Sequence, residues 1–184
     1  MPFSSPTGRA ARRIVLLLGL NLGLGLALGG CSWVSGQYSD VKCPGAGVVA
    51  GIDTVARFDG RGTAYVNLAD RATVGGVKSD CNIDSGGVSV TVSLSTVAEL
   101  GPTAAGRTID FPYFVAVTDG RDKVIAKRVF QNTITFKPNE NRAGTQDTVT
   151  ERIPLADPKQ ADRYHVIVGF QLTPEELAHN RTLH

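Results

Sequence analysis

The tightest constraint on the fold lies in Val88-Ser89-Val90-Thr91-Val92-Ser93-Leu94-Ser95, where four apolar residues alternate with four hydroxyls. A strand turns successive side chains to opposite faces, so a period of two leaves one dry face and one wet face. That pattern belongs to an antiparallel sheet packed on one side only. Such a strand cannot stand alone; it needs partner strands and a second layer over its valines. The continuation to Leu100 loses the alternation at Thr96-Val97, which reads as a bulge or an edge.

Partners are available along the chain. Val48 to Phe58 is a first strand candidate, with Ile52, Ala56 and Phe58 on one face and Asp53 and Arg57 on the other. Asp59-Gly60-Arg61-Gly62 is a turn, and Ala64 to Leu68 is weakly extended. From Arg71 to Ile83, Ala72 and Val74 occupy even positions while Val77, Cys81 and Ile83 occupy odd ones. Gly75-Gly76 sits where the parity changes and predicts a β-bulge. Phe111 to Val117 is apolar on both faces, which predicts the most central strand. Pro112 belongs at its start, because proline lacks the ladder donor. Asp119-Gly120 supplies a hairpin turn into a strand from Lys123 to Val129 that can run on to Phe136. Lys137 to Gln146 reads as an exposed loop, Thr148 to Leu155 as a strand broken by Pro154, and Tyr164 to Leu172 as the last strand. Only Thr173-Pro174-Glu175-Glu176 looks helical: it carries a capping box with proline at the first helical position. The two turns that follow, through Leu177 and Asn180, are too short to persist unless they dock on the sheet.

Many short strands with turns between them predict an all-β fold, an antiparallel β-sandwich of about seven strands with a short C-terminal helix. Its expected architecture is immunoglobulin-like or fibronectin-like. Trp33 precedes both Cys43 and Cys81, so the immunoglobulin placing of a tryptophan between paired cysteines is missing.

Ahead of this body, Arg9, Arg12 and Arg13 precede an apolar segment of 15 residues, Ile14 to Leu28. A bilayer-spanning helix needs about 20 apolar residues, and Asn21 and several glycines interrupt this one. The segment ends in Leu28-Gly29-Gly30-Cys31, which resembles the lipobox of bacterial lipoproteins. That resemblance implies a lipoprotein signal peptide over residues 1–30, acyl chains on Cys31, a linker over 31–42 and one sandwich domain over 43–184. Two or more acyl chains hold a protein stably at a membrane, each buried methylene contributing about 0.8 kcal/mol. It further implies an anchor facing the periplasm, and Ser32 in place of an aspartate after the cysteine favours the outer membrane. An ordinary secretory signal with an incidental cysteine is the alternative. Trp33 and Tyr38 in the linker either rest at lipid headgroups or pack on the base of the domain.

Charge and cysteine usage follow from that division. The three leader arginines are the only charged residues before residue 32, so 19 cations less three leaves 16 against 17 acids. No basic footprint for nucleic acid remains. With Cys31 acylated, Cys43 and Cys81 remain as an even pair in an oxidising space and are the candidates for a disulfide. A metal pair or a redox pair is disfavoured by their 38-residue separation and the lack of any CxxC.

Residues that could carry chemistry are few. His165, His179 and His184 form no HExxH or Cys/His cluster, and all three read as solvated. Ser89, Thr91, Ser93 and Ser95 read as a wet strand face, with no GxSxG elbow anywhere. Gly45 and Gly47 precede a strand and lack the helix a phosphate loop needs. Asp53, Asp119 and Asp122 read as turn residues; the two aspartates of one hairpin fall far short of the roughly six to eight oxygens calcium takes. No catalytic, cofactor or metal-binding residue is expected.

Cys43-Pro44, Cys81, Gly101-Pro102, Pro112 to Val117, Lys127 with Phe130, and Ile153-Pro154-Leu155 together resemble a group of proteobacterial envelope lipoproteins. The resemblance spans most of the chain after Cys31, and implies a lipidated β-domain and no activity. The expected function is therefore a non-enzymatic binding or structural module of the cell envelope, with the membrane and an envelope protein as partners. The alternative is a carrier or sensor of a lipid or small apolar ligand, marked by an apolar cavity of several hundred Å³. An enzyme would gather His165 with an aspartate or serine in a cleft. A solid core with one exposed apolar patch marks the binding module.

Overall fold

A computed structural model describes residues 38–183. Cys31, Trp33, the apolar leader and His184 lie outside the described residues. The described chain forms β1 (Gly45–Val48), β2 (Thr54–Phe58), β3 (Leu68–Asp84), β4 (Gly87–Leu100), β5 (Thr108–Asp110) and β6 (Tyr113–Thr118). It continues through β7 (Val124–Phe130), β8 (Thr133–Thr135), β9 (Arg142–Pro154), β10 (His165–Phe170) and the helix α1 (Pro174–Arg181).

Two four-stranded sheets stack into a sandwich. A sheet of short strands has the order β1-β10-β6-β7, and a sheet of longer strands has the order β2-β3-β4-β9; β5 and β8 pair separately. All-β architecture is thus the outcome the alternation demanded. The strand count exceeds seven because β1, β5 and β8 are only three or four residues long, too short to leave a period in the sequence. Pairing is antiparallel except for β1, which runs parallel to β10 from Gly45↔His165 to Val48↔Val168. Between the sheets, Val88, Val90, Val92 and Leu94 meet a core that includes Val115, Val117, Val166 and Val168. Phe111 and Phe170 lie in the same core with ring centroids 6.1 Å apart.

β4 shows both the strength and the limit of the pattern. It runs unbroken past Thr96-Val97, pairing there with Val74 of β3 and with Thr145 of β9. Thr96 is simply a polar residue on the dry side, fully buried between Leu94 and Ala98, and its hydroxyl finds no partner. The expected bulge at Gly75-Gly76 is present as a register shift between Gly75 and Lys78, with Gly76 at φ +61°. That left-handed conformation favours glycine, which has no Cβ to clash.

Other boundaries move for tertiary reasons. Val48 to Phe58 is two strands in two different sheets, because Gly51 at φ +82° turns the chain between them. Ala64 to Leu68 contains a 3-10 turn, Tyr65–Asn67, rather than a strand. Lys123 to Phe136 divides at Gln131-Asn132 into β7 and β8, which belong to different sheets. β9 begins at Arg142, inside the expected loop. Its polar run, Arg142, Gly144 and Gln146, pairs with Glu99, Val97 and Ser95 along the wet face of β4, so an outward strand face had the composition of a loop.

Two devices close the structure. Cys43, just before β1, forms a disulfide with Cys81 of β3, with Cα atoms 5.8 Å apart, and so ties the two sheets covalently. In the chain-entropy account a crosslink of this span stabilises by about 3–4 kcal/mol. α1 opens with the expected capping box: Glu176 N–H donates to Thr173 Oγ1 and Thr173 N–H to Glu176 Oε2. It docks on β2, where Arg57 Nε donates to Glu176 Oε1 at 3.0 Å. Asn180 Nδ2 donates to the carbonyls of Gly51 and Thr54 at 2.9 and 2.7 Å. His179 is not free in solvent, since its ring meets Phe58 edge-on at 5.1 Å.

Candidate functional site

The aspartates singled out by sequence hold turns together. Asp53 Oδ1 accepts from Gly51 N–H at 3.0 Å. Asp119 Oδ1 accepts from the N–H groups of Arg121 and Lys123. The bond from Arg121, followed by that from Lys123 and by the nearby cations, holds the Asp119 carboxyl below the usual carboxylate range against the opposing effect of burial. Asp122 takes φ +58° in the same turn. His165 is exposed on the outer side of β10, opposite Gly45 and Thr118. Among the described residues no three His, Cys, Asp or Glu side chains are placed to share a metal ion.

The hydroxyl stripe of β4 is a hydrogen-bonded surface ladder. Thr91 bonds Thr150 and Ser93 bonds Thr148, each at 3.1 Å, across to β9. Arg152 donates to Ser89 at 3.2 Å and holds Asp84 at 2.7 Å. At one end of this face an open polar groove of about 260 Å³ lies over Thr73, Arg71, Glu99 and Arg142. Arg71 and Glu99 already pair there at 2.7 Å.

The outer side of the short sheet has the opposite character. β6 is buried along its whole length, so the residues it turns outward, Phe114, Ala116 and Thr118, are covered as well. Lys127 covers part of that face: its ammonium sits 4.2 Å from the Phe114 ring centroid and donates to Gln171 Oε1 at 2.8 Å. On the inner side, Arg128 lies 4.9 Å over the Phe130 ring and donates to Glu151 Oε1 of β9 at 3.1 Å. Phe130 stacks on Tyr113 at 5.3 Å. Burial, with a further contribution from the Asp147 carboxylate, pushes the Tyr113 hydroxyl up to about 12.

β7 is the outermost strand of that sheet, so one row of its backbone N–H and C=O groups has no ladder partner. Three of its aliphatic side chains are half exposed: Val124 50 %, Ile125 49 % and Val129 51 %. Beside it, an open groove of about 480 Å³ runs over Gly45, Gly47, Thr118, Val124, His165 and Ile167. A Cβ added at Gly47 would meet no atom within 4 Å. Sequence reasoning found this strand without its place at the rim of the sheet. The available signal was Val124-Ile125 beside Lys127-Arg128, a segment that is neither cleanly alternating nor wholly apolar.

Comparison with protein-family models, with curated proteins and with solved structures finds no match to this chain.

Proposed function

We propose that this chain is a lipid-anchored, non-enzymatic binding module of the bacterial envelope, held at Cys31 with its body in the periplasm and docking a partner along β7. The anchor rests on the lipobox-like residues Leu28 to Cys31. The binding role rests on one observation: half-exposed Val124, Ile125 and Val129 share a strand whose outer backbone edge is open. Sheet edges of this kind accept extended segments by main-chain hydrogen bonding, with side chains supplying selectivity. The core between the sheets is filled by valines and phenylalanines, which supports a solid scaffold.

A photo-crosslinking residue at Ile125 tests the role in intact cells. It should capture a discrete partner that the same residue at Thr148, on the hydroxyl face, does not; equal capture from both positions would count against the edge. Cys31→Ser should abolish incorporation of labelled palmitate, and undiminished labelling would remove the anchor. The groove beside β7 favours a second reading, a carrier of a small apolar ligand. Gly47→Leu would fill that groove without backbone strain, so unchanged uptake of a fluorescent fatty acid by that variant would exclude it.

A further inference from the structure

Resting on β7 as the docking edge, we infer that its partner is an acidic extended protein segment, added to the short sheet as a fifth strand. Between Asp122 and Glu140 the chain carries Lys123, Lys127, Arg128 and Lys137 and no carboxylate. Among the described residues, neither Lys123 nor Lys127 has a carboxylate within ion-pair distance. Lys127 bonds only a neutral amide, Gln171, and an aromatic face, so its charge is left uncompensated. Arg128 has one carboxylate, Glu151, and its guanidinium still faces solvent with donors to spare.

An added strand lies about 4.8 Å from β7, so its side chains come within reach of these cations once their long flexible stems swing outward from the rings they cover. Opposite charges across a strand pair stabilise it and like charges oppose it. The register is restricted too. The β6–β7 ladder shifts between Val117 and Thr118, leaving Ile125 as the unpaired residue, so β7 is regular from Ala126 to Phe130. A guest therefore aligns on Lys127 and Arg128.

A second copy of the chain fits poorly. Two β7 strands paired antiparallel about their centre would set Lys127 directly against Lys127, with an Arg128 one residue away on each strand. The apolar face is also small: four strands about 4.8 Å apart and some 20 Å long cover roughly 400 Å², half of what each partner brings to a standard interface. Of the long sheet's two edges, the one on β9 is guarded, since that strand turns Asp147 and Glu151 inward and ends at Pro154.

The full chain in detergent micelles can be titrated with fluorescein-labelled eight-residue peptides of alternating valine and polar residues, carrying either two glutamates or two lysines. The glutamate peptide should bind, weaken with salt, and protect the Ala126–Phe130 amides from hydrogen exchange. The double variant Lys123→Glu with Lys127→Glu should bind it about tenfold more weakly and prefer the lysine peptide. Equal binding of both peptides by the unaltered chain would overturn the acidic partner and leave the edge standing. Protection of β7 by neither peptide would overturn both. Protection that instead grows with protein concentration alone would make a second copy the occupant and defeat the inference.

Discussion

β4 shows water Ser89, Thr91, Ser93 and Ser95 in strict alternation, whereas β6, from Tyr113 to Thr118, has no wet face at all. The edges of the two sheets differ in the same direction. β9 carries inward carboxylates at Asp147 and Glu151 and a terminal proline, devices that stop a further strand from adding. β7 carries Lys127 and Arg128, which could do the same. Both are instead folded back onto the protein's own rings, Lys127 over Phe114 and Arg128 over Phe130. The difference teaches that apolar residues on a sheet's second face must be covered locally. Here part of that cover is Lys127, a cation that would otherwise guard the edge, and half-exposed aliphatics are left beside an open ladder.

Four perturbations break or sharpen that contrast, the largest first. Cys81→Ala removes the covalent tie between the sheets and should lower stability by about 3–4 kcal/mol. Thermal unfolding with and without reductant checks it; an equal loss in the unaltered chain on reduction is expected. Leu94→Ala, on the dry side of β4, should cost about 3 kcal/mol, while its neighbour Ser93→Ala on the wet side should stay within about 0.5 kcal/mol. Urea midpoints of the two variants measure the asymmetry of the long sheet directly. Comparable losses at both positions would end the one-wet-face description.

Arg57→Ala should cost about 2 kcal/mol, because the guanidinium serves Glu176, the Asp110 carbonyl and the Phe111 ring together. Faster hydrogen exchange in α1 than in β4 would locate the loss at the helix dock.

The last perturbation concerns Asp70, on the inner side of β3. Burial raises its carboxyl above the ordinary value of 3.8, Arg57 opposes that, and Glu176 adds to it. One of its oxygens is buried without a hydrogen bond, Arg57 standing off at 3.5 Å. Because the folded value lies above the unfolded one, the fold holds the proton more tightly. That contribution is complete below about pH 4 and lost as pH rises through the folded value. Asp70→Asn should therefore stabilise the protein at pH 7 by up to about 1 kcal/mol. The gain should vanish at pH 3 in matched urea melts.

Local chemistry alone determined a good part of this protein. The period of two in Val88 to Ser95, the parity change at Gly75-Gly76, the capping box at Thr173 to Glu176 and the pairing of Cys43 with Cys81 were all legible, because each depends on neighbours in the chain or on simple counting. Tertiary structure decided the rest. It sent the two halves of Val48 to Phe58 to different sheets, made strand of the polar stretch from Arg142 to Gln146, packed His179 on Phe58, and set β7 at the rim. Those outcomes turn on which strand wins a partner among distant competitors, and a strand's own residues encode its faces but not its place in the order.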